Sequence, residues 1–168
     1  MTIRPFATAL LAASLVASAA AKDAVAPADM PQDTPEAALR KAIAFIDAGD
    51  SEGFITQMTD PTFVAEKREA GKLQQVIDGF IAKKGGEVKA VMARAVDVAP
   101  DMVPADGDRP AAAVYVLPVA GPTKAEFRLN KEPRKKRKKY LTLIEVDGRW
   151  HLSNETKPPK GWKPRTEE

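Results

Sequence analysis

Tyr140-Leu141-Thr142-Leu143-Ile144-Glu145-Val146-Asp147-Gly148-Arg149-Trp150-His151-Leu152 is the stretch on which the reading of the fold turns. Two runs of β-favouring residues flank an Asp-Gly pair, and that pair suits a tight hairpin turn in which both central residues need positive φ. A two-residue turn fixes the register, with Val146 opposite Arg149, Glu145 opposite Trp150 and Leu143 opposite Leu152. Side chains alternate across a strand, so Leu141, Leu143, Trp150 and Leu152 share one face, and that face needs an apolar cover. Glu145 lies on the same face and is the strand carboxylate nearest to burial. His151, the only histidine of the chain, falls on the opposite face and reads as a surface strand residue.

Upstream of the hairpin the chain supplies further strands. Residues 123–129 alternate cleanly, with Ala125, Phe127 and Leu129 opposed to Lys124, Glu126 and Arg128. Residues 111–117 predict another strand, bent or ended by Pro118. Residues 100–110 are rich in turn formers and read as a loop. The Asp106-Gly107-Asp108 within it is too short for a calcium loop, which needs several more oxygen ligands at fixed spacing. Val88, Ala90, Met92, Val96 and Val98 also alternate and predict a first strand, after a helix stopped at Gly85-Gly86.

The first half has the other period. Thr34 is a good N-cap, Pro35 suits the first helical position and Glu36 the first turn. Leu39, Ala42, Ile43 and Ile46 recur at helical spacing up to a stop at Gly49. Asp50 or Ser51 caps a short second helix bearing Phe54, Ile55 and Met58, broken at Asp60-Pro61. A third helix is predicted over 64–84, with a core stripe of Leu73, Val76, Ile77, Phe80 and Ile81.

Helices first and strands after predict an α+β fold: three N-terminal helices packed on a curved antiparallel sheet of four to six strands. Thr34-Pro35-Glu36-Ala37-Ala38, the Ala48-Gly49-Asp50 junction and the Val146 to Leu152 hairpin give residues 34–154 a further character. In element order and in these local features the chain resembles small secreted members of the ketosteroid-isomerase and nuclear-transport-factor-2 superfamily. The resemblance implies a cone-type fold. It implies no single activity, since that superfamily holds isomerases, dehydratases, hydrolases and members without chemistry.

The ends of the chain carry a different message. Arg4, an apolar and small-residue run from Phe6 and the closing Ala17-Ser18-Ala19-Ala20-Ala21 have the three parts of a secretory signal peptide. Residues 1–21 are therefore expected to direct export and be removed, after Ala19 or Ala21. Residues 22–33 read as a flexible leader, 34–156 as one domain and 157–168 as a basic, proline-rich flexible tail. The chain has no cysteine, which excludes disulfides and a cysteine-linked lipid anchor. A bacterial periplasmic or secreted, soluble protein is the compartment these features predict.

Charge points to one surface feature. The formal net charge is only +3, yet Lys131 to Lys139 holds seven basic residues in nine. The candidate anion-binding residues are Arg134, Lys135, Lys136, Arg137, Lys138 and Lys139, held out of regular structure by Pro133. Each basic residue near an anionic surface contributes about 1 kcal/mol, screened by salt. The partner predicted is anionic lipid or a cell-envelope polymer. No aromatic residue interleaves the run, which argues against stacking of single-stranded nucleic acid. The alternative is a solvated loop that guards a sheet edge.

No catalytic constellation, cofactor motif or metal-ligand spacing is present. The functional expectation is thus a non-enzymatic accessory or binding module. Two alternatives accompany it. One is a small-ligand carrier or isomerase- or hydratase-type enzyme using the cone interior, with Arg94, Tyr115 and Glu145 as pocket residues. The other is a structural protein that forms a homodimer through the sheet.

Overall fold

The computed structural model describes residues 25–119, 137–155 and 158–163. The segment expected to be a signal peptide, the strand expected over 123–129 and Arg134, Lys135 and Lys136 lie outside the described residues. The fold is α+β, with helices in the first half and a four-stranded antiparallel sheet in the second.

Helix α1 (Pro35–Asp47) begins as the sequence predicts, with the Ala37 amide donating to Thr34 Oγ1 at 3.1 Å. A short turn, α2 (Ser51–Gly53), is capped by Asp50 and widens over Phe54–Met58. Gly53 is obligatory there, because a Cβ would collide with the Phe45 ring and the Asp50 carboxylate. Helices α3 (Pro61–Glu69) and α4 (Leu73–Phe80) follow, separated at Gly71 in the left-handed region. The Phe54 and Phe80 rings stack at 4.4 Å and tie α2 to α4.

Two helical expectations are corrected. The single third helix over 64–84 is divided into α3 and α4. Gly85-Gly86 does not stop it either: α4 runs through a wide turn at Ile81–Gly85 into α5 (Gly86–Val96). The segment expected as the first strand is therefore helical. Val88, Met92 and Ala95 fit a helical stripe as well as Val88, Ala90 and Met92 fit a strand, and in so short a window both periods score. Tertiary contact decides the matter. Gly85 packs beside Ile46 of α1, at the point where the start of α5 meets the end of α1. Lys89 and Asp47 pair across the same junction.

The sheet runs in the order β1-β2-β3-β4. Strand β1 (Asp101–Val103) lies inside the expected loop, and its residues pair with Ala112, Ala113 and Val114. Strand β2 (Ala112–Val119) continues through Pro118. Beyond Val114 β1 no longer flanks β2, so among the described residues the missing proline N–H costs no ladder bond. Strands β3 (Arg137–Val146) and β4 (Arg149–Leu152) pair in the register read from the sequence, about a turn in which Asp147 and Gly148 have φ of 52° and 72°.

Helices α1 and α5 cover the inner face of the sheet. Ala38, Leu39, Phe45, Met92, Tyr115, Leu143 and Trp150 form one core there. The outer face carries Val114, Thr142 and His151, all buried within this one chain. Among the described residues no helix is long and apolar enough to cross a membrane.

Candidate functional site

The residues singled out from sequence are dispersed. Tyr115 is 2% exposed in the core, where burial and, second, the Glu36 carboxylate push its phenol up to about 12. Glu145 is half-buried near the hairpin end, and its amide donates to the Ala111 carbonyl. Arg94, on α5, donates to the Pro118 carbonyl at the other end of β2. From Ala111 to Pro118 a strand covers roughly 23 Å, so these three residues do not share a pocket.

The end of the basic run is built into the sheet. Arg137, Lys138 and Lys139 pair in register with Val119, Pro118 and Leu117. Pro133 therefore does not keep the whole run out of regular structure: its last three residues open β3. Lys139 is exposed and lies 3.4 Å from Glu87 of α5. Arg94 sits at the same end of the sheet, so the cation assigned to the interior borders the basic run instead.

A second polar region lies where sequence reading expected a flexible leader. Residues 25–33 are part of the domain. Gln32 is buried, and its side-chain amide donates to the carbonyls of Gln57 at 2.9 Å and Trp150 at 2.8 Å. The Trp150 amide returns a bond to the Gln32 carbonyl, and the Asp60 amide donates to the Leu152 carbonyl. These groups close the outer edge of β4, which would otherwise offer unpaired backbone to another chain.

His151 is buried beside this junction, 8% exposed with Nδ1 3.5 Å from Gln32 Nε2. It lies on the face opposite Trp150, as the alternation requires, but it is not a surface residue. Burial holds the imidazole below its ordinary value, against backbone hydrogen bonds at Gln57 and Thr59 and the Asp60 charge, which act upward.

Lys41 of α1 completes the region. It is 6% exposed, and Nζ donates to the Ala28 carbonyl at 3.0 Å. Burial and then the Arg149 guanidinium lower its pKa, with Asp29 acting the other way. A pocket of about 420 Å³ opens here between the 28–33 segment, Lys41 and the turn Asp147-Gly148-Arg149. Sequence carried a signal for it: Lys41 falls in the apolar stripe of α1, three residues after Ala38 and four before Phe45.

A larger groove of about 880 Å³ crosses the outer face and is rimmed by Asp60, Asp108, Glu145, Asp147 and Glu155. Among the described residues no three His, Asp or Glu side chains are grouped so as to hold a metal ion. Comparison with protein-family models, curated proteins and solved structures finds no match for this chain, so the functional reading rests on side-chain chemistry.

Proposed function

We propose that the protein is an exported, non-enzymatic accessory or binding module of the cone-type superfamily. Residues 1–21 direct its export, and Arg134 to Lys139 contact an anionic envelope surface. One observation carries this reading. The ladder to Leu117, Pro118 and Val119 fixes the C-terminal end of the basic run at one end of the sheet, and Arg94 adds a cation beside it. A run tethered in this way presents charge from a rigid edge. The helix-covered antiparallel sheet supports the cone-type assignment, and the buried packing of Tyr115, Leu143 and Met92 weighs against an interior active site.

The test is vesicle binding at low and high salt. Neutralising Lys135, Lys136, Arg137 and Lys138 together weakens binding to phosphatidylglycerol vesicles by roughly two to three orders of magnitude at low salt, from about 1 kcal/mol per basic residue. The difference shrinks as salt rises. Unchanged binding of the variant overturns the reading.

A further inference from the structure

We propose that the pocket between the 28–33 segment, α1 and the hairpin turn binds a small zwitterion, an amino acid or dipeptide, with its carboxylate held between Lys41 and Arg149. An ammonium has three donors, and the Ala28 carbonyl takes one of those of Lys41. No carboxylate of the described residues lies within 4.0 Å of Nζ. A buried charge without a counter-ion in contact is costly; Asp29 acts on Lys41 only from beyond 4.0 Å, and the nearby Arg149 adds like-charge repulsion. Fastening a loop carbonyl does not require that arrangement; a neutral donor would serve. A carboxylate entering the pocket supplies the missing acceptor to both cations through charge-assisted hydrogen bonds.

The rim selects among anions. Asp29, Asp33 and Asp147 line the same pocket and are exposed. Three carboxylates oppose a phosphate dianion but complement an ammonium, so a ligand bearing both charges fits better than either ion alone. Gln32 forms a committed wall, since its amide protons already serve two carbonyls. The pocket and the basic run involve different residues, so this inference is independent of the envelope-surface reading.

Calorimetric titration of the full chain with L-alanyl-L-alanine tests it. Binding is expected, weakened about tenfold or more by Lys41→Met and by Arg149→Gln, as for loss of a charge-assisted bond. N-acetyl-L-alanyl-L-alanine and inorganic phosphate are expected to bind more weakly than the dipeptide. Arg149 is exposed, so Arg149→Gln keeps the test alive if Lys41→Met does not fold. No binding of the dipeptide, binding indifferent to these substitutions, or equal binding of the acetylated dipeptide or phosphate overturns the proposal.

Discussion

The two faces of the sheet are closed by different means. On the inner face α1 and α5 bury Tyr115, Leu143 and Trp150 in a continuous apolar core. On the outer face the cover comes from irregular chain. Arg109 pairs with Asp106 and donates to the Lys160 carbonyl, and Trp162 meets Tyr140 edge-on with ring centroids 5.5 Å apart. The indole Nε1 of Trp162 is buried with no hydrogen-bond partner among the described residues. Residues 158–163 are thus docked rather than free, but by a few contacts. The inner face carries the stability of the fold, whereas the outer face leaves room for an acid-rimmed groove.

The largest effect that would sharpen this contrast is at the centre of the inner face. Leu143 is fully buried, and Leu143→Ala should cost about 2–5 kcal/mol through lost burial and an unfilled cavity. Denaturant unfolding measures it; a cost below 1 kcal/mol would mean that the core collapses around the gap and that the faces do not differ as described.

Tyr115 gives the next effect. Its folded pKa of about 12 lies above the ordinary value of 10.0. The unfolded chain therefore releases the proton first as pH rises. The stabilisation is complete below pH 10.0 and lost as pH climbs towards about 12, on the order of 2–3 kcal/mol in all. Tyr115→Phe should flatten the alkaline limb of stability against pH, and tyrosinate absorbance should show one late-titrating phenol.

The smallest effect is acidic and belongs to the outer face. The His151 pKa is lowered from 6.5, so the unfolded chain takes up the proton first as pH falls. Stability from the neutral imidazole is present above pH 6.5 and lost below it, through the lower folded value. His151→Gln should remove that part of the acid limb in pH-dependent melts. A limb unchanged by the substitution would show that the imidazole is not shielded and that the outer face is open to water.

Which parts were readable in sequence follows from how local their causes are. The α1 cap and the Asp147-Gly148 turn were, because a hydroxyl in reach of its own helix amide and two positive-φ positions are decided within a few residues. Residues 86–96 were not, since Gly85 packs against Ile46, which is distant in the chain. Gln32 was missed for the same reason, whereas Lys41 carried a local signal in the apolar stripe of α1 that went unread. A leader with few large apolar residues gives no pattern, and Gln32 acquires its role only opposite Trp150 and Gln57.

The chain alone thus determined an α+β order, the register of its last hairpin and a concentration of positive charge that runs into the start of β3. Tertiary structure decided that residues 25–33 belong to the domain, that α5 replaces a strand, and that Lys41 and Arg149 face one pocket. Periodicity reports which side of an element shuns water. Only packing between elements remote in sequence determines which buried polar groups find partners and which are left to recruit one.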